Sequence, residues 1–207
     1  MISQRCAIFD MDGTLLDSMP YWRNVLSEYL SMPIPQEYSE KIAPMNVTDS
    51  IALTIKTFGL QKSVKQIFDE MNEIMKQHYL NDISPKKGVV QYLGKLRENN
   101  IRMCVASASP APLIPAALKN FDMLDFFDFL CSTEEGFPDK THPDIFLHCA
   151  QKLNSVPFDT AVFEDSYSAI QTAKNANFQV VAIYDDTQKK NWQQITQIAD
   201  MFKKSYI

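Results

Sequence analysis

The strongest constraint on the fold is a regular alternation of strand-like and helix-like segments in the second half of the chain. After Pro85, short apolar runs alternate with segments whose apolar residues recur at helical spacing. The predicted strands are 101–106, 129–131, 161–163 and 179–183, and the predicted helices are 89–99, 111–120, 143–153, 166–175 and 191–199. Strands that alternate with helices form a parallel sheet covered by helices on both faces. The sequence therefore predicts a three-layer α/β protein.

One further strand comes first in the chain, at Cys6–Phe9, and it ends at an acidic cluster. The chain that follows it has helical periodicity throughout and lacks strand signals. We therefore predict a core made of residues 1–17 and 85–207, with a helical cap of residues 18–84 inserted after the first strand.

Composition excludes several classes of function. The formal net charge of the 207 residues is -5, which argues against a nucleic-acid partner held by a basic surface. No apolar run approaches the roughly 20 residues that a membrane span needs, and the N-terminus lacks the pattern of a signal peptide. The four cysteines show no paired spacing, which is typical of buried thiols in a reducing compartment. The expectation is a cytoplasmic protein without a membrane or nucleic-acid partner; the sequence makes no prediction of oligomeric state.

Polar groups follow the predicted strands where plain turns would suffice. Ligands of parallel α/β sheets bind outside the carboxyl ends of the strands, so groups at these ends are expected to share one site. The groups in question are Asp10 and Asp12 after the first strand, Ser107 after the second, Lys140 in the loop after the third, and Glu164 and Asp165 after the fourth.

These residue types suit phosphoryl transfer. Of two aspartates in one loop, one can attack phosphorus while the other moves protons. A phosphate dianion repels a carboxylate, so a cation is required, and Mg²⁺ prefers oxygen ligands such as those of Asp10 and Asp165. Lys140 can neutralise the nucleophile and the phosphoryl oxygens, while Ser107 and nearby backbone N–H groups can bind the remaining oxygens.

The same segments resemble the haloacid dehalogenase-like hydrolase superfamily, in the branch of β-phosphoglucomutase and phosphoglycolate phosphatase. The resemblance covers nearly the whole chain and implies a Rossmann-like core with an inserted helical cap. The segments that carry it are Phe9–Ser18, Val105–Ser109, Lys140 with Pro143–Phe146, and Phe163–Ser166 followed by Ile170 and Ala173.

The resemblance implies a role for each strand-end residue. Asp10 would be the nucleophile and Asp12 the general acid and base, whose backbone carbonyl also contacts Mg²⁺. Asp165 would bind the metal directly and Glu164 through water. Since a chloride leaving group needs no proton and an ester oxygen does, Asp12 favours phosphoester hydrolysis over dehalogenation. The catalytic candidates are Asp10, Asp12, Ser107 and Lys140; the substrate-binding candidates are Thr14, Ala108, Trp22 and Asn46.

The leading hypothesis is a Mg²⁺-dependent phosphatase of a small phosphorylated metabolite. A sugar-phosphate mutase is the alternative, but Pro110 and Ala111 stand where the family mutases place a lysine and an asparagine for a second phosphate. The segment 46–50 also lacks the mutase arginine, and Trp22 replaces a mutase histidine. A receiver-like signalling module phosphorylated on aspartate is a third hypothesis, which the long helical insert opposes.

Overall fold

Six parallel strands form a single sheet at the centre of the molecule. The computed structural model describes residues 2–42, 45 and 47–207. The strand order is β3-β2-β1-β4-β5-β6, so the connections reverse direction on either side of β1. Such a reversal opens a crevice at the carboxyl ends of the central strands. The strands are β1 (Cys6–Phe9), β2 (Arg102–Ser107), β3 (Phe129–Ser132), β4 (Thr160–Glu164), β5 (Gln179–Ile183) and β6 (Met201–Lys203).

Helices cover both faces of this sheet, which confirms the predicted α/β class. Side chains alternate along β1, so that Ala7 and Phe9 pack into one apolar cluster and Cys6 and Ile8 into the other. The nine α-helices in the described part of the chain are α1 (Met19–Leu30), α2 (Gln36–Ile42), α3 (Val47–Phe58), α4 (Val64–Asn81), α5 (Val89–Glu98), α6 (Leu113–Asn120), α7 (Asp144–Lys152), α8 (Tyr167–Asn175) and α9 (Trp192–Ile198).

Helices α1 to α4 lie between β1 and α5, in the segment for which a cap is predicted. The chain leaves the sheet and returns to it at one place, since the Asp17 amide donates to the Ser84 carbonyl at 2.9 Å and the Lys86 amide to the Leu15 carbonyl at 2.8 Å. The buried ammonium of Lys86 also bridges Asp17 at 2.8 Å and Asp185 at 2.9 Å. The two crossings are thus tied to each other and to the loop after β5. The boundary at residues 18–84 stays a prediction.

The cysteines, the described helices and one further strand also bear on the sequence predictions. All four cysteines are buried free thiols, as predicted. None of the described helices has the length and apolarity needed to cross a membrane. Strand β6 was not predicted, because three residues, of which Phe202 is 57% exposed, produce no clear apolar run.

Candidate active site

The strand-end groups singled out in the sequence converge on one cavity of about 430 Å³. It lies at the carboxyl edge of the sheet, where β1, β2 and β4 end, and helices of the insert form its other side. Among the residues that line it are Asp10, Asp12, Ser107, Ala108, Lys140, Glu164 and Asp165. The order of the strands explains this convergence, because β1 lies between β2 and β4.

An acidic cluster occupies the floor of this cavity. Asp10, Glu164 and Asp165 are buried, and each offers a carboxylate oxygen within 4.8 Å of the others. Lys140 Nζ donates to Glu164 Oε1 at 2.8 Å and to Asp10 Oδ1. The second oxygen of Asp10, Oδ2, is buried and has no hydrogen-bond partner among the described residues. A buried carboxylate oxygen is costly without a partner, so the site is built to receive one.

The electrostatics of the cluster show that one lysine does not balance it. Burial raises the pKa of Asp10, Lys140 opposes the rise, and Glu164 and Asp12 add to it, so that the pKa reaches about 7. Burial, followed by the charges of Glu164 and Asp10, also raises the pKa of Asp165 well above its ordinary value. For Lys140, burial lowers the pKa, but Asp10 and Glu164 outweigh it and raise the pKa. The charged forms of Asp10 and Asp165 are thus disfavoured by burial and by neighbouring carboxylates, and a cation at this cluster would stabilise them.

Asp12 is held differently from Asp10, by hydroxyl groups. Ser18 Oγ and the Tyr79 hydroxyl each donate to its Oδ1 at 2.5 Å, and Ser109 Oγ donates to its Oδ2. The Tyr79 hydroxyl in turn accepts from the indole N–H of Trp22 at 3.0 Å. Three hydroxyl donors hold the Asp12 side chain in one orientation. A carboxylate fixed in this way at the cavity wall is suited to exchange protons with a bound molecule.

Gly13 brings the first strand end close to the fourth. Its φ of +86° lies in the left-handed region, and a Cβ atom on it would lie 2.6 Å from Asp165 Oδ2. Thr14, predicted as a substrate contact, is fully buried behind the cavity wall, and its hydroxyl donates to Asp165 Oδ1 at 3.4 Å. Its position supports Asp165 rather than a ligand.

Gly13→Ala is expected to lower the kcat of the reaction catalysed at this cavity at least about tenfold, because the new methyl group displaces the Asp165 carboxylate. The left-handed backbone adds a destabilisation of about 1–2 kcal/mol. Steady-state kinetics and urea unfolding measure the two effects. The matched control is Gly94→Ala in α5, where a Cβ meets nothing within 4 Å and alanine is the better helix former. Wild-type turnover and stability in Gly13→Ala would show that this close approach is unimportant.

The other predicted residues occupy the following positions. Ser107 is buried, and its hydroxyl accepts from the Ser109 amide at 3.0 Å, while Ala108 lines the cavity. Trp22 lines the cavity from α1. Asn46 falls outside the described residues.

Sequence reasoning missed the hydroxyl groups around Asp12. Ser18 and Ser109 lie in the segments that carry the family resemblance, so their place in these motifs could have indicated that they belong to the site. Tyr79 lies in α4, distant in sequence from every motif, and only the packing of α4 against α1 and α6 brings it to Asp12. No sequence signal distinguishes it from the other aromatic residues of the insert.

The fold and the acidic site together define the class of the protein. The family model of the haloacid dehalogenase-like hydrolases matches residues 7–183, and the chain belongs to this family. Hexitol phosphatase B of Escherichia coli is 28% identical over 187 residues, which cover 86% of this chain and 82% of that protein. The phosphorylated carbohydrates phosphatase of Thermotoga maritima is 25% identical over 176 residues, covering 83% of this chain and 81% of that protein.

Solved structures agree on the fold. The crystal structure of CbbY from Rhodobacter sphaeroides in complex with phosphate superposes with a TM-score of 0.81 and covers 98% of this chain and 95% of that one. At 19% identity this likeness shows the fold alone.

Proposed function

We propose that this chain is a Mg²⁺-dependent phosphatase that hydrolyses a small phosphorylated metabolite, such as a sugar phosphate, through an aspartyl-phosphate on Asp10. The observation that carries the proposal is the pairing of two different carboxylates in one cavity. Asp10 has one oxygen held by Lys140 and one without a described partner, whereas both oxygens of Asp12 are held by hydroxyl groups. The two environments suit a nucleophile and a proton carrier. Relatives named as phosphatases of hexitols and of phosphorylated carbohydrates support the substrate class.

The proposed reaction has two steps. In the first, a carboxylate oxygen of Asp10 attacks phosphorus, the ester P–O bond breaks, and protonated Asp12 gives its proton to the leaving alkoxide. In the second, Asp12 takes a proton from water, which attacks the phosphorus of the aspartyl-phosphate and releases inorganic phosphate and the Asp10 carboxylate. Lys140 neutralises charge on Asp10 and on the phosphoryl oxygens throughout.

The residues present fit a divalent cation. The partnerless Asp10 oxygen and the raised pKa of Asp165 both indicate a site short of positive charge. Asp10 and Asp165 would hold Mg²⁺ directly, with the Asp12 backbone carbonyl, and Glu164 would act through water. When bound, the ion offsets the charge of the phosphate dianion that approaches the carboxylates.

Removal of Mg²⁺ with EDTA is expected to reduce phosphate release to background, and added MgCl₂ to restore it. Thermal unfolding gives a second readout, since a ligand at a hundred times its dissociation constant stabilises the folded state by about 2.7 kcal/mol. Mg²⁺ should therefore raise the melting temperature of the wild type. It should not raise that of Asp165→Asn, which without metal should be at least as stable because one crowded carboxylate is gone. Full activity in EDTA would contradict the proposal.

The test of the function itself is a phosphate-release screen over sugar phosphates, sugar-alcohol phosphates, phosphoglycolate and nucleotides. Release from at least one substrate by folded protein with Mg²⁺ is expected, and its absence across the panel would overturn the proposal. A coupled assay with β-glucose 1-phosphate and a bisphosphate activator distinguishes a sugar-phosphate mutase from a phosphatase. Water is favoured over a second sugar phosphate as the phosphoryl acceptor, because a mutase must also bind a second phosphate group. Lys140 is the only cationic side chain among the described residues that line the cavity.

A further inference from the structure

The part of the cavity wall that the insert supplies carries no charge. Helices α1, α3 and α4 all contribute to it, and its described side chains are Met19, Trp22, Val47, Phe68, Met71 and Asn72. The residues outside the described part between α2 and α3 are Ala43, Pro44 and Asn46, which are uncharged in the sequence. A molecule whose phosphate sits at Asp10 therefore meets an uncharged surface on the side of the cavity that α1, α3 and α4 supply.

The polar capacity of this wall is concentrated in one side chain. The indole N–H of Trp22 is already engaged by the Tyr79 hydroxyl, so that Trp22 offers the cavity only its ring. The Asn72 amide is half-buried and makes no hydrogen bond to a described residue. An amide both donates and accepts, which suits a hydroxyl group of a ligand. The methionine and aromatic surfaces around it suit the C–H faces of a carbon chain.

The charges elsewhere in the cavity oppose a second anion. The one lining cation of the described part, Lys140, is committed to Asp10 and Glu164. Arg23 of α1 does not line the cavity and donates to the Thr187 carbonyl at 3.2 Å. A distal carboxylate or phosphate on the ligand would lose water, find no counter-ion in the described wall, and face the carboxylates of the floor.

We propose that the uncharged wall built by α1, α3 and α4 selects phosphomonoesters in which the phosphate is the only ionised group, with Asn72 contacting a hydroxyl of the leaving alcohol. This rests on the proposed phosphatase function and names its substrate class: phosphates of neutral polyols and sugars. The enzyme discriminates between substrates mainly because a second anionic group on the ligand would lose its water without gaining a counter-ion. Such an unpaired charge can distinguish molecules of similar shape.

Two substrate pairs that differ in charge test the proposal. Glycerol 3-phosphate differs from 3-phosphoglycerate by a CH₂OH group in place of a carboxylate, and fructose 1-phosphate differs from fructose 1,6-bisphosphate by one phosphate. In each pair, the substrate whose phosphate is its only ionised group is expected to have a kcat/KM at least about tenfold higher, a discrimination of about 1.4 kcal/mol. Equal or better turnover of the charged members overturns the inference and leaves the phosphatase standing. No release from any of the four by folded protein also overturns the inference, and the phosphatase itself is overturned only when the wider panel of phosphoesters is inactive as well.

A charge placed on the wall supplies the matched variant. Asn72→Lys is expected to raise the kcat/KM for 3-phosphoglycerate relative to glycerol 3-phosphate about tenfold. Gln77→Lys adds the same charge on the exposed side of α4 and should leave the ratio unchanged. Val47→Lys, at a 53% exposed position of the wall, provides the second reading if Asn72→Lys does not fold. An unchanged ratio in the folded wall variant, or the same change in Gln77→Lys, overturns the inference.

Discussion

Asp10→Asn is expected to abolish phosphate release, lowering kcat by about four orders of magnitude or more, the range seen when a nucleophile is removed. The amide has nearly the shape of the carboxylate but is a far weaker nucleophile, so the phosphoenzyme does not form. The variant should fold as the wild type does and be at least as stable without metal. Burial and neighbouring carboxylates raise the pKa of Asp10 to about 7, so its charge is not favoured in the folded state.

Three measurements make this result decisive. Acid-quenched wild type incubated with substrate should carry a phosphoryl group on the peptide that contains Asp10, and Asp10→Asn should not. The control variant is Asp128→Asn. Asp128 is exposed and lies next to the start of β3, at the opposite edge of the sheet. This variant should keep kcat within about twofold of the wild type. Mass spectrometry of the purified variant guards against deamidation back to aspartate. Residual turnover above about one percent in an intact variant would exclude Asp10 as the nucleophile.

The fold was predictable from the sequence because its signals are local. Apolar runs and helical spacing sufficed to place β1 and the alternation after Pro85, since buried parallel strands are short and apolar along their whole length. The structure shifts most boundaries by one or two residues, as with the strand predicted at 161–163 and found at Thr160–Glu164. Strand β6 was not predicted because its three residues form no apolar run, and it is identified only by its parallel pairing with β5.

The residues of the candidate site that lie at strand ends were predictable from the sequence, and the one that depends on helix packing was not. Asp10, Lys140, Glu164 and Asp165 lie at strand ends or in the loop after β3, so sheet topology alone brings them together. Tyr79 belongs to the cavity through the packing of helices far apart in sequence. Contacts of that kind depend on how three helices are oriented, which no motif encodes.

Asp12→Asn is expected to lower turnover of a sugar phosphate by about two to four orders of magnitude, the usual contribution of a general acid and base. An asparagine neither gives a proton to the leaving alkoxide nor takes one from water, so both steps of the proposed reaction slow. The three hydroxyl donors remain, and the side chain is nearly the same size, so the fold should not change. Ser18→Ala, which removes one donor and leaves the carboxylate, should cost less than about tenfold.

The leaving group separates the two roles of Asp12. The p-nitrophenolate ion leaves without a proton, so Asp12→Asn should still form the phosphoenzyme from p-nitrophenyl phosphate and then hydrolyse it slowly. Rapid mixing should show a burst of p-nitrophenol equal to the enzyme concentration, followed by a slow steady state. An alkyl phosphate should give no burst, because its alkoxide needs the missing proton. Equal losses with both substrates and no burst would show that Asp12 orients the ligand and carries no proton in the first step.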